Sequence, residues 1–304
     1  MTTPTTDSIS FTPLSPTIGS EVTGIDLRER QPDDVIATLR AALVDRKVLF
    51  FRNQPLTTEH HLDFGRRFGE LEVHPFVPSK PGYPEVLDIT HDENAAGKEN
   101  LWHSDVTWRL QPSLGSILLN KENPGVGGDT LFADMEAAYD GLTTETKDKI
   151  DGLNALHDSD GFRALIRSRG ASEEAIAKLV ERFPPAIHPV VRTHPESGRR
   201  SLYVNGAFTK HIVGMDQAES DALLQNLYRQ ANFPEYQCRF RWEQFSIAFW
   251  DNRACQHYAT SDYYPARRCA ERVTIVGSTP AYDPTIPRRP TDQRFKGSIQ
   301  RLTA

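Results

Sequence analysis

The chain has 304 residues, a formal net charge of −6 at pH 7, 38% hydrophobic and 9% aromatic residues. That balance suits a globular core and argues against a nucleic-acid partner, which calls for a basic face. No run approaches the roughly 18 apolar residues of a membrane span, and Met1-Thr2-Thr3-Pro4 lacks the basic-then-apolar order of a secretory signal, so the cytoplasm is the expected compartment.

In chain order, Ser10 to Leu27 reads as short strands with turns at Gly19 and Gly24. Asp33 to Asp45 carries Val35, Leu39, Ala42 and Leu43 at helical spacing, with Asp33 or Asp34 as a cap. Lys47 to Phe51 is a strand, Thr57 to Phe68 a Thr-capped helix, and Val86 to Ile89 a strand. Ser116 to Leu119 and Thr130 to Phe132 follow as strands. Helices are expected at Met135 to Tyr139, Thr144 to Leu153, Ser172 to Phe183 and Asp216 to Ala231. The closing third returns to β at Ala186 to Arg192, Ser201 to Val204, Gln237 to Trp242, Ser246 to Trp250 and Arg272 to Val276. Many short strands with helices set between them predict a mainly β fold with helical insertions, a double-stranded β-helix or jelly roll. No repeat or linker divides it, so residues 1–282 are taken as one domain and 283–304 as a basic tail. From Pro280 onward, five basic residues face Asp283 and Asp292 among four prolines, which suggests an extended, solvated or subunit-wrapping segment. Cys238, Cys255 and Cys269 are odd in number and lack Cys-x-x-Cys spacing. They are expected to be buried small hydrophobes rather than a disulfide framework or zinc site.

His-x-Asp or His-x-Glu spacing occurs at His61-Leu62-Asp63, His91-Asp92-Glu93, His103-Ser104-Asp105 and His194-Pro195-Glu196. Spacing alone cannot choose among them. On a helix, residues two apart diverge, which removes His61 and Asp63, whereas on a strand they share a face. His91 borders a polar run expected to be a mobile loop, and His194 a turn. His103 sits among the β-formers Trp102, Val106, Thr107 and Trp108. With His257 after an apolar strand, His103 and Asp105 supply two imidazoles and a carboxylate, the set that suits a non-haem Fe(II) with open positions. Arg268 and Arg272, four apart at the start of an apolar strand, would face one side. Either could pair with a carboxylate.

Several blocks in fixed order carry a resemblance. They are Arg67-Phe68-Gly69-Glu70-Leu71, Trp102-His103-Ser104-Asp105-Val106-Thr107, Gly127-Gly128-Asp129-Thr130-Leu131, His188 to Pro195 and Trp250-Asp251-Asn252-Arg253. The chain resembles the taurine/2-oxoglutarate dioxygenase family of Fe(II) enzymes from Ser10 to about Tyr282. That resemblance implies His103, Asp105 and His257 as iron ligands, Thr130 and Arg268 as holders of the 2-oxoglutarate distal carboxylate, and Arg272 facing the substrate's anionic group. It implies O₂ as a further cosubstrate, succinate and CO₂ as coproducts, and hydroxylation of an unactivated C–H in a small organic anion. It also implies a homo-oligomer, dimer or tetramer. His74 matches a substrate-contacting histidine and Phe208 an aromatic pocket wall, but Val77 stands where the taurine enzymes carry tyrosine. A taurine-like or longer alkyl sulfonate is therefore the leading substrate. Alkyl sulfate esters, aryloxyalkanoates and N-substituted amino acids are alternatives. Two other classes compete: a zinc hydrolase using the same triad, and a jelly-roll binding module with an incidental metal.

Overall fold

The strand Val48–Phe51 has all four side chains buried, Val48 and Phe50 in one core and Leu49 and Phe51 in another. Successive side chains on a strand point to opposite faces, so this sheet is covered on both sides. The computed structural model, which describes residues 8–97 and 99–289, shows what covers them. The strand belongs to an eight-stranded sheet. Its order is Ser10–Pro13, Ser20–Thr23, Val48–Phe51, Ile247–Asp251, Gly115–Glu122, Arg268–Ile275, Tyr83–His91 and Ser79–Lys80. On one face lie the helices Asp33–Arg46 and Thr58–Arg66, whose Val35, Leu39, Leu43, Leu62 and Phe64 meet Leu49, Phe51, Ile117, Leu119 and Phe249. The other face meets a three-stranded sheet ordered Gln237–Phe240, Thr130–Asp134, Cys255–Ala259. Phe132, Cys238, Phe240 and Cys255 from that sheet pack on Phe50, Leu118, Ala248, Trp250 and Ala270.

Between the Thr130–Asp134 and Gln237–Phe240 strands the chain inserts the helices Met135–Asp140, Thr144–Ile150, Asp160–Ser168, Glu173–Arg182 and Gln217–Tyr228. The same insertion holds a second three-stranded sheet (Thr209–Ile212, Asn154–His157, Ala186–Pro189) and the hairpin Val191–Thr193 with Arg200–Leu202. Mainly β with helical insertions is therefore what forms. Among the described residues no helix is long and apolar enough to cross a membrane.

Several expectations need correction. The first helix is capped by Pro32, with Asp33 and Asp34 inside its first turn; Lys47 is its left-handed C-cap rather than the first strand residue. The helix Asp160–Ser168 is absent from the expected elements although Phe162, Leu165 and Ile166 stand at helical spacing; no residue on it is fully buried. Trp102–Trp108 is not a strand. His103 alone makes a bridge, and the chain turns from Asp105 onward, with Val106 at φ 47°. His91 is not in a loop but ends the Tyr83–His91 strand. Cys238 and Cys255 are buried, whereas Cys269 is half-buried.

The start of the basic tail, as far as residue 289, is held to its own chain. Asp283 N–H donates to Thr193 Oγ1 (2.9 Å), Arg200 donates to the Ile286 carbonyl, and Arg288 and Arg289 pair with Asp151 and Asp140. Acidic side chains around the first inserted helices pair with these arginines, which stay partly exposed. Arg294, Lys296 and Arg301 lie outside the described residues.

Phe249 joins the large sheet to its covering helix, fully buried with ring centroids 4.7 Å from Phe68 and 6.3 Å from Phe64. Phe249→Ala is expected to cost ~3–5 kcal/mol, seen as a lower urea midpoint at unchanged slope.

Candidate active site

The inner faces of the two sheets carry polar residues at one end of the sandwich. In the Arg268–Ile275 strand, alternation puts Arg268 and Arg272 on the same face as Ala270, which lies in the core between the sheets. Opposite, the Thr130–Asp134 strand turns Thr130 inward with Phe132, and the Cys255–Ala259 strand turns His257 inward with Cys255. The sequence reading left the strand Cys255–Ala259 unassigned, because its polar residues hide its period.

His103 docks at the free edge of this smaller sheet. Its N–H donates to the His257 carbonyl (3.1 Å), and the His257 N–H donates back to the His103 carbonyl (2.8 Å). The next residues are held by side chains instead of a ladder. Ser104 Oγ donates to the Cys255 carbonyl (2.8 Å). The Asn252 amide accepts from the Asp105 N–H (2.6 Å) and donates to the Asp105 carbonyl (2.9 Å), as a neighbouring strand would. The turn at Val106 thus swings Asp105 inward, where Ser116 Oγ donates to its Oδ2 (3.0 Å). Strand alternation gave the correct convergence of His103 and Asp105 for the wrong reason. Asn252 was visible only as part of a motif block.

Among the described residues, His103, Asp105 and His257 form the group able to hold a metal, with donor atoms all within 4.8 Å of one another. Asp105 Oδ1 lies 3.8 Å from His103 Nε2 and 3.9 Å from His257 Nε2. Metal–nitrogen bonds of about 2.1 Å can span such gaps. The Leu101 carbonyl accepts from His103 Nδ1 at 2.7 Å, which leaves the Nε2 lone pair facing the site. Burial, with His103 and Arg272 nearby, pushes His257 down to about 3. Burial alone would raise the Asp105 carboxyl, but Arg272, His257 and His103 outweigh it and hold it well below the carboxylate range. Neutral imidazole and ionised carboxylate are the forms a metal requires.

The other His-x-acid pairs do not converge. His61 Nε2 faces the Ile117 carbonyl (3.0 Å) while Asp63 is exposed. His91 Nδ1 meets Tyr263 Oη (2.7 Å), and His194 is buried against Asp251 at 3.0 Å.

Thr130 and Arg268 come together through Trp242, whose Nε1 donates to Thr130 Oγ1 (3.0 Å) and whose ring lies 5.6 Å from the Arg268 guanidinium. Arg268 is buried with an unpartnered Nε among the described residues. His74, Val77, Phe208 and Arg272 line one cavity of about 260 Å³ together with His103 and Asp105. His74 Nδ1 accepts from the N–H groups of Phe76 and Val77, and burial, then Arg272 and Arg109, push it down to about 3. Arg272 Nη1 donates to Asp105 Oδ1 at 3.1 Å. Phe162 completes the apolar wall, stacked 5.4 Å from Phe76 and 6.0 Å from Phe208. It sits on the helix Asp160–Ser168, where Phe162, Leu165 and Ile166 stand at i, i+3 and i+4, a helical signal missing from the expected elements.

The chain matches the family model described as Taurine catabolism dioxygenase TauD, TfdA family, over residues 10–274. It belongs to that family. It is 35% identical over 273 residues to the alpha-ketoglutarate-dependent sulfate ester dioxygenase of Pseudomonas putida, covering 88% of this chain and 89% of that one. To the alpha-ketoglutarate-dependent 2,4-dichlorophenoxyacetate dioxygenase of Cupriavidus pinatubonensis it is 33% identical over 287 residues, covering 88% and 98%. A solved taurine dioxygenase from Burkholderia xenovorans superposes with TM-score 0.78 at 38% identity, covering 92% of this chain and 93% of that one. The protein is thus a 2-oxoglutarate-dependent dioxygenase, and the hydrolase and binding-module alternatives fall with that assignment.

Asn252→Ala in this dioxygenase is expected to weaken Co(II) binding ~10–100-fold, followed by titration of its absorption bands, because Asp105 loses its backbone clamp. Acid should also destabilise the metal-free protein. His61 and His74 are held neutral to about 4 and 3, so the unfolded chain binds more protons once pH falls below about 6.5. Stability is then full above that pH and drops by up to ~1.4 kcal/mol per pH unit for each histidine, measurable by urea unfolding at pH 7 and pH 5.

Proposed function

We propose that the two sheets form a double-stranded β-helix whose mouth binds Fe(II) through His103, Asp105 and His257, and that the enzyme hydroxylates a small organic anion at an unactivated C–H. The observation that carries this reading is the convergence of those three donors beside two inward arginines, Arg268 and Arg272. Two neutral imidazoles and one carboxylate are the ligand set of oxygen-activating iron. When bound, the iron supplies O₂ activation, coupled to the conversion of 2-oxoglutarate to succinate and CO₂.

The chain's own residues orient the reactants. Arg268, with the Thr130 hydroxyl beside it, takes the distal carboxylate of 2-oxoglutarate. Its planar fork and buried position make that pairing strong and specific. With Asp105 committed to the metal, Arg272 is left to pair with the anionic group of the primary substrate. His74, whose Nδ1 is already occupied, presents its other nitrogen as a donor for the same anion. Phe162, Phe208, Val77 and Val106 line the cavity with apolar surface that excludes water from the reacting C–H.

The wall of the pocket orders the substrate candidates. Val77 offers no hydroxyl to an amine, and Phe162 and Phe208 favour a longer apolar body than that of taurine. A longer alkyl sulfonate fits best. Alkyl sulfates and aryloxyalkanoates, the kinds named for the two curated relatives, place an anion at one end of an apolar body in the same way.

Succinate release should be screened with taurine, longer alkyl sulfonates, alkyl sulfates, aryloxyalkanoates and N-substituted amino acids, with Fe(II) and O₂ present. The expected result is kcat/KM for a six-to-eight-carbon sulfonate at least ~10-fold above that for taurine, as a few buried methylenes provide. His103→Ala is expected to lose at least ~100-fold in succinate formation, since a ligand is missing; unchanged turnover in that variant would reject the ligand assignment.

A further inference from the structure

Behind His74 lies an ion pair that belongs neither to the cavity lining nor to the metal group. Arg109 Nη1 is 2.8 Å from Glu72 Oε1, with the carboxylate side chain 5% exposed and the guanidinium 17%. Withdrawing two charges this far from water is costly, and apolar residues would serve packing alone as well or better. Alternation sets the direction of the pair. Glu72 and His74 are buried while Val73 between them is 55% exposed, so the carboxylate and the imidazole leave the segment on one side.

Separate segments around the cavity meet at this pair. The Glu72 N–H donates to the Thr274 carbonyl (2.8 Å), which ties the start of the His74 segment to the strand that carries Arg272. The Arg109 N–H donates to the Val106 carbonyl (3.0 Å), closing the turn that follows Asp105. The Arg109 carbonyl accepts from His188 Nε2 (2.7 Å). Its guanidinium lies 5.3 Å from the Trp108 ring and 5.4 Å from that of Phe183, the residue that ends the Glu173–Arg182 helix. Phe76 packs near both rings, at 5.2 and 5.9 Å, and carries Phe162 stacked on it.

Beyond Glu72 the His74 segment has little else to hold it. Among the described residues, the backbone from Val73 to Pro78 makes only the hydrogen bonds from Phe76 and Val77 to the His74 ring. Pairing with another strand resumes at Ser79. A segment suspended in this way is placed by its ends and by what its side chains pack on. Its Glu72 end and the rings beside Phe76 both meet Arg109.

We propose that Glu72 and Arg109 are positioning residues that set the shape of the substrate cavity. By clasping the His74 segment to the turn after Asp105, they fix where His74 and Val77 stand relative to the metal donors and Arg272. The planar guanidinium suits this task, since it pairs with a carboxylate while its flat body lies over aromatic rings. The proposal rests on this cavity being the one that takes the primary substrate.

The test uses the full chain with both charges removed together, Glu72→Leu with Arg109→Met, so that neither is left buried alone. Hydrogen exchange is followed at the Phe76 and Val77 amides of the Mn(II)-loaded protein, and Fe(II)-dependent succinate release is measured with sodium hexanesulfonate. The double variant should exchange at least about tenfold faster at those two amides. It should raise KM for hexanesulfonate at least about fivefold, with kcat and the dissociation constant of 2-oxoglutarate within about twofold of wild type. Arg109→Lys keeps the charge without the flat fork, and its exchange should fall between wild type and the double variant. Unchanged exchange at Phe76 and Val77, or an unchanged KM, overturns the proposal. Equal acceleration at the His103 and His257 amides overturns it as well, since the pair would then hold the fold as a whole. If the wild type turns over neither hexanesulfonate nor the other anions of the screen, the substrate reading falls, and the exchange result still decides the positioning role.

Discussion

The site depends on a two-way backbone bridge between His103 and His257. The two histidines are 154 positions apart in sequence, and the bridge fixes their separation by hydrogen-bond geometry rather than by side-chain packing. Asn252 extends the bridge by one residue with its amide, so Asp105 can leave the strand line and turn inward without an unpaired backbone group. Ser113, whose hydroxyl and carbonyl both accept from the Asn252 amide, holds the clamp itself. Donors held by hydrogen bonds in this way need little further ordering to hold an ion.

Charge is arranged around that frame in a low-dielectric interior. Arg268, Arg272 and Arg253 are each largely withdrawn from water, a costly state unless a partner is present. Arg253 has its partners permanently in Asp251 and Glu196, and with His194 this network braces the end of the Ile247–Asp251 strand from which Asn252 emerges. Arg268 keeps a buried, unpartnered Nε. Arg272 pairs only with Asp105 among the described carboxylates. The contrast separates an arginine with two fixed acidic partners from two with donors to spare, and a buried guanidinium gains most from a carboxylate or sulfonate partner.

Much of the fold was legible because its strands alternate or are wholly apolar. Val48–Phe51 and Ile247–Asp251 could be read as buried on both faces, and the Thr57 cap marked its helix. The helix Asp160–Ser168 shows only a short helical spacing, Phe162, Leu165 and Ile166, and was missed. It lies on the surface with no buried residue, yet it delivers Phe162 to the cavity wall. The strand around His257 was also hidden, because a functional strand replaces apolar inward residues with polar ones. Trp102–Trp108 misled in the opposite sense: β-forming residues occupy a turn whose shape is dictated by Asn252 and by the left-handed Val106.

By itself the sequence determined the chemistry on offer. It supplied two imidazoles, a carboxylate and a pair of arginines four apart, and it placed their order along the chain. Local patterning also settled the mainly β character, because side-chain periodicity is a property of neighbouring residues. Only the tertiary structure decided which His-x-acid pair converges, since four candidates share one spacing and differ in what lies across from them. It also decided that Trp242 reaches Thr130 and that Tyr263 reaches His91. Those contacts join residues more than a hundred positions apart, where hydrogen-bond partners follow from how two sheets stack and not from any local pattern.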